Sequence, residues 1–81
     1  MYSSLLIGRF AEVIRSYDKS LLGKSGKVSD ETKNMIHITT EAGETIRLPK
    51  SVVTLRVGLQ SDYVILEGTK LLGTPIDRIR G

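Results

Sequence analysis

Met35-Ile36-His37-Ile38-Thr39-Thr40, followed after a four-residue gap by Thr45-Ile46-Arg47-Leu48, decides the fold. Apolar and polar residues alternate in both runs, and a period of two sets Ile36 and Ile38 on one face with His37 and Thr39 on the other. The intervening Glu41-Ala42-Gly43-Glu44 reads as a tight hairpin, with Gly43 free to take the positive φ that a Cβ disfavours. Working outward, Val53-Thr54-Leu55-Arg56-Val57 alternates in the same way, whereas Tyr63-Val64-Ile65-Leu66-Glu67 is apolar on both parities, as a strand covered on both faces or one closing a barrel would be. Phe10 to Arg15 and Lys24 to Ser29 are weaker strands, each with charged residues between small apolar ones. Thr32-Lys33-Asn34 reads as a turn in which Asn34 tolerates the left-handed region, and Pro49 ends a strand because it has no N–H to give the ladder.

Six short strands at roughly ten-residue spacing predict an all-β fold, a small six-stranded antiparallel barrel. Closure would remove the unpaired edges of so small a sheet. Short helical segments are expected at the ends. Ser3 or Ser4 can cap a turn over Leu5, Leu6 and Ile7, and Thr74-Pro75-Ile76-Asp77 has the N-cap, first-turn proline and acid of a helix start. Residues 1–81 are expected to form one domain, since there is no internal repeat or linker composition.

The chain carries 12 Lys+Arg against 9 Asp+Glu, a net charge of +3, and a pI near 9.5. For 8.9 kDa, surface scaling leaves about 63% of the unfolded chain's area buried, a thin margin. There is no cysteine, which removes zinc ribbons and thiol chemistry and fits a reducing cytoplasm. The lone His37 excludes a multi-histidine metal site. No apolar run approaches the roughly 20 residues of a membrane span, and the Ser3 to Gly8 stretch lacks the basic flank and length of a signal peptide.

No catalytic constellation emerges. Asp30 and Glu31 are adjacent on a strand and point to opposite faces, so they do not form a facing carboxylate pair. Gly23-Lys24-Ser25-Gly26 lacks phosphate-loop spacing and leads into a strand. What remains is basic charge in three groups: Lys19, Lys24 and Lys27 with Lys33; Arg47 and Lys50; and Arg78 and Arg80. A small domain with such a pI is a candidate for nucleic acid. The tyrosines, Tyr2, Tyr17 and Tyr63, are scattered in the sequence and offer no stacking platform, so RNA would be held through phosphate and sugar.

Several stretches together resemble a known family. Ser20-Leu21-Leu22-Gly23, Gly26-Lys27-Val28, Asp30-Glu31-Thr32-Lys33-Asn34, Leu48-Pro49-Lys50 and Leu71-Leu72-Gly73-Thr74-Pro75-Ile76-Asp77-Arg78-Ile79 look, in that order, like the archaeal ribonuclease P protein component 1. The resemblance implies an Sm-like barrel and an RNA-binding subunit of ribonuclease P, which removes 5′ leaders from precursor tRNA. Catalysis would then rest with the RNA subunit and its magnesium ions, with no cofactor or catalytic residue on this chain. The partners implied are the ribonuclease P RNA and a zinc-ribbon protein subunit, with precursor tRNA contacted indirectly. The setting would be cytoplasmic, away from any membrane. Residue by residue, Lys33 and Asn34 fall in the family's turn, Lys27 and Lys50 on basic positions of the barrel surface, and Arg78 in the terminal motif. With the basic groups above, the expected RNA-binding set is Lys24, Lys27, Lys33, Asn34, Arg47, Lys50, Arg78 and Arg80. Two other functions share the barrel class: an Sm-type ring-forming RNA chaperone, and an SH3-like protein-interaction module. The latter normally displays clustered surface aromatics.

Overall fold

A computed structural model describes residues 6–71. The helical segment expected from Thr74 onward lies outside them, as do Arg78 and Arg80; of the turn expected over Leu5, Leu6 and Ile7, only Leu6 and Ile7 are described, and both stand in a turn. The strands fall where alternation puts them: β1 (Phe10–Ser16), β2 (Ser25–Glu31), β3 (Met35–Thr39), β4 (Thr45–Pro49), β5 (Val53–Gly58) and β6 (Tyr63–Glu67). All neighbouring pairs are antiparallel, and the spatial order is β4-β3-β2-β1-β5-β6. Between β1 and β2 lies a single 3-10 turn, Lys19–Leu21. Asp18 caps it, accepting bonds from the Ser20 hydroxyl (2.7 Å) and amide (3.0 Å), and these hold the Asp18 carboxyl below its ordinary pKa.

One face of every strand serves one core. Ala11, Val13, Val28, Ile36, Ile38, Leu48, Val53, Leu55 and Val57 are buried together with Leu6, and Ile46, Val64 and Leu66 pack against them from the edge strands. Strands in a sheet lie about 4.8 Å apart, so β4 and β6 at the two ends of a flat sheet would be about 24 Å apart. Side chains from both reach the same cluster, so the sheet is rolled. The barrel nevertheless stays open. Among the described residues β4 pairs only with β3 and β6 only with β5, and this corrects the expectation of closure. The roll is completed by side chains meeting in the core, without a sixth ladder.

Openness also explains β6. Its burial alternates instead of being complete: Tyr63 and Ile65 are about half exposed, while Val64 and Leu66 turn inward. An edge strand facing solvent on its outer side needs apolar residues on one parity only. The turn after β2 differs in detail as well. Asn34 does not use the left-handed region, because no non-glycine residue described here has a positive φ. The turn is held instead by Thr32, whose N–H bonds the Met35 carbonyl and whose hydroxyl accepts the Met35 N–H. Gly43 does take the positive φ (86°) expected of it.

The decisive irregularity lies in β2. Val28 pairs with Ile38, but the next pair is Asp30 with His37, so Ser29 is an extra residue, a β-bulge. Strict alternation from Val28 would turn Asp30 inward and Glu31 outward. The bulge shifts the phase by one, so Glu31 opposes the buried Ile36 and is itself 1% exposed. There its carboxylate meets Lys50 Nζ at 2.7 Å, and Lys50 is fully buried. The Lys50 backbone is equally engaged. Its N–H donates to the Asn34 carbonyl (2.8 Å), and its carbonyl oxygen lies where a Cβ on Gly68 would come to 2.0 Å.

Two stability predictions follow from this junction. Breaking a buried pair leaves one uncompensated charge, so Lys50→Met or Glu31→Gln alone should cost about 3–5 kcal/mol. The double change Glu31→Leu/Lys50→Met should recover a large part, read as the urea midpoint at constant slope. Gly68→Ala must displace backbone, and should lower stability by about 1–3 kcal/mol or more in the same assay.

Candidate nucleic-acid interface

Cross-strand pairing decides which outward residues become neighbours. On the outer face Lys27 of β2 opposes Thr39 of β3, which opposes Thr45 of β4. The adjoining row runs Asp30, His37, Arg47. Rows on one face are separated by two residues of strand, about 6.6 Å, and strands by about 4.8 Å. Lys27, His37 and Arg47 therefore project from three adjacent strands onto one surface patch, with Lys27 and Arg47 exposed and His37 half-buried. Asp30 is partly occupied by its own bulge, its carboxylate accepting the Glu31 N–H at 2.9 Å.

Lys33 and Asn34 stand exposed at the tip of the β2–β3 turn. Its backbone is anchored by Thr32 on one side and by the Lys50 N–H on the other, so the two side chains extend from a fixed support. Lys24 is exposed at the opposite end of β2, its carbonyl accepting the Val13 N–H. The strand between them spans roughly 20 Å, so Lys24 and Lys33 serve separate ends of any shared track. Gly26 is buried at the start of β2, and a Cβ there would come within 2.4 Å of the Thr39 carbonyl oxygen. That glycine permits close strand approach, which suits a ladder and not a phosphate loop.

Lys50 is the residue the structure removes from the expected set. It does not lie on the surface, because it follows Pro49 on the inward parity of β4 and is consumed by Glu31. Among the described residues no group of three or more histidines, aspartates or glutamates assembles as a metal site, and no helix is long and apolar enough to cross a membrane. Sequence spacing also missed a second outer cluster. Arg56 of β5 pairs with Glu12 of β1 and lies over the Tyr63 ring, 5.6 Å from its centroid. Nothing in linear spacing joins positions 12, 56 and 63; only the strand order β1-β5-β6 does.

The whole chain, residues 1–81, matches the family described as Ribonuclease P/MRP, subunit p29. Ribonuclease P protein component 1 of Methanococcus maripaludis is 36% identical over 78 residues, covering 93% of this chain and 81% of the relative. That of Staphylothermus marinus is 37% identical over 76 residues, covering 93% and 83%. The solved structure of Mth11, a homologue of the human RNase P protein Rpp29, superposes with a TM-score of 0.69 at 30% identity and covers 90% of this chain and 95% of that one. The chain therefore belongs to the ribonuclease P/MRP p29 family.

Proposed function

We propose that this protein is an RNA-binding subunit of ribonuclease P that supports the catalytic RNA in removing 5′ leaders from precursor tRNA. The observation that carries the proposal is the outer patch, where Lys27 of β2 and Arg47 of β4 on either side of β3, with Lys33 and Asn34 at the adjoining turn, present cations on a rigid sheet. Charges fixed in this way suit the phosphates of a folded RNA, because the sheet supplies the register and the RNA supplies the sequence. On this reading the chemistry belongs to the RNA and to magnesium ions it holds. The protein neutralises phosphates and works in the cytoplasm beside a zinc-ribbon subunit, touching precursor tRNA only through the assembly. Arg78 and Arg80, outside the described residues, belong to the proposed RNA-contacting set on the strength of the sequence alone.

A ring of identical subunits is the competing assembly, because β4 and β6 both keep an unpaired side among the described residues. Light scattering separates the two. A hexamer or heptamer would favour the ring, and a monomer would end it.

Each phosphate neutralised lowers log affinity by about 0.7–0.9 per decade of salt. Three contacts, from Lys27, Lys33 and Arg47, predict a loss of roughly 20- to 40-fold between about 50 and 200 mM salt in a gel shift with ribonuclease P RNA. Lys27→Ala or Arg47→Ala should each reduce the slope by about one contact, whereas Lys50→Met should change stability and leave the slope alone. Affinity independent of salt would sink the proposal. In reconstitution, adding the protein with its zinc-ribbon partner should lower the magnesium needed for leader cleavage, and no change would count equally against it.

A further inference from the structure

Gly58 is a glycine the fold does not require. Its φ is not positive, and a Cβ added to it would meet only the Phe10 carbonyl oxygen at 3.7 Å, an ordinary contact. It sits at the end of β5, between two exposed aromatic residues. Tyr63 of β6 is its register partner on one side. On the other, continuing the Ala11–Val57 register by one step places Phe10 of β1 opposite it. Phe10 is 54% exposed and Tyr63 57% exposed. Large apolar rings in one cross-strand row are ordinarily covered or replaced by polar residues on a solvent face. Here the outward row reads Lys27, Phe10, Gly58, Tyr63 across four strands.

The missing side chain leaves a notch between the rings. Two strand spacings, about 10 Å, separate the Cα positions of Phe10 and Tyr63. A flat ring seated over Gly58 then has an aromatic neighbour about 5 Å to either side, within the 4.5–7 Å range in which rings stack or meet edge to face. Cations rim the notch. Lys27 adjoins Phe10, Arg9 donates from Nη1 to the Gly58 carbonyl at 3.5 Å, and Arg56 lies over the Tyr63 ring while Glu12 pairs with it. An apolar protein partner would use the rings but not the cations around them. Duplex RNA would use the cations but has no free base to offer the rings.

We infer that Phe10, Gly58 and Tyr63 form a stacking slot for an unpaired nucleobase of RNA, with Lys27, Arg9 and Arg56 holding the flanking phosphates. The inference rests on the RNA-binding function proposed above and names what one part of that surface recognises: a single-stranded segment, read through the face of its base. Glu12 serves to orient Arg56 so that the guanidinium covers one side of Tyr63 and leaves the other to the ligand.

The chain has no tryptophan, so Phe10→Trp supplies a unique fluorophore at the slot. With this variant of the full chain, a twelve-residue oligouridylate should quench the tryptophan saturably. An abasic chain of the same length and charge should bind more weakly and leave the fluorescence unquenched. Phe10→Leu and Tyr63→Leu should each weaken oligouridylate binding about 5- to 150-fold, the span of stacking losses on single strands. Gly58→Val should do so while preserving or raising the unfolding midpoint, since valine suits a strand and its Cβ has room. Equal affinity for the abasic chain and oligouridylate, or leucine and valine variants that bind oligouridylate as the parent does, would overturn the slot and assign the ring pair to a protein surface. That outcome is distinct from failure of the RNA-binding proposal, in which neither chain binds the parent protein in a salt-dependent way.

Discussion

Lys50 and Glu31, joined at 2.7 Å with neither side chain reaching solvent, set a constraint that the rest of the sheet obeys. Removing two charges from water costs several kcal/mol per ion, and only close geometry in the low-dielectric interior offsets it. Such a pair is therefore a weak source of net stability but a strong selector of register. If β2 slipped by one residue, or lost its bulge at Ser29, Asp30 would turn inward and Glu31 outward, and Lys50 would lose the Glu31 carboxylate that it meets at 2.7 Å. Every pairing of β2 with β3 that inverts this parity carries that penalty. The native one also binds the β2–β3 turn to the end of β4, through the Lys50 N–H and the Asn34 carbonyl, and seats Gly68 against the Lys50 carbonyl.

Fixing the phase of β2 fixes the outer face. With the bulge in place, Lys27 keeps the outward parity and Asp30 joins it, so the row Asp30, His37, Arg47 lies beside the row that contains Lys27. A second shift, at Ile14 between β1 and β5, resets Arg15 against Thr54 in the same manner. These two bends also help roll the sheet, since a bulge increases local twist. The rolled sheet buries one face of all six strands without needing β4 to pair with β6. The outer faces of β1, β5 and β6 stay open as a consequence, and that is where the aromatic residues and Gly58 stand.

Strand positions were legible because alternation is a local property: five-to-seven-residue runs with turn residues between them reproduce the observed elements. Closure was not legible, since whether β4 reaches β6 depends on accumulated twist and on what fills the middle. The apolar run of β6 misled for a related reason, as Tyr63 and Ile65 are apolar without being covered. Lys27 and Arg47 were found on the surface because their parity is set by flanking core residues, Val28 on one side and Ile46 and Leu48 on the other. The slot was invisible at the level of sequence. Phe10, Gly58 and Tyr63 are brought together by the order β1-β5-β6, and no spacing along the chain encodes that order.

Lys50 and Glu31 show where the limit of such reading lies. Counting from Ile46, the residues of β4 alternate inward and outward through Pro49, whose register partner Met35 lies on the outer side, so the next position is inward. The direction of Lys50 was thus written in the parity of its own strand, against the usual rule that a lysine is solvated. The direction of Glu31 was not, because a bulge inverts parity and Ser29 carries no mark that distinguishes it from a regular strand residue. A buried cation legible from one strand implies a buried anion somewhere, since an unpaired charge in a core is too costly to keep. Parity alone therefore marks Lys50 as a core cation in need of an acid. That acid is Glu31, on β2, one strand beyond the β3 that pairs with β4.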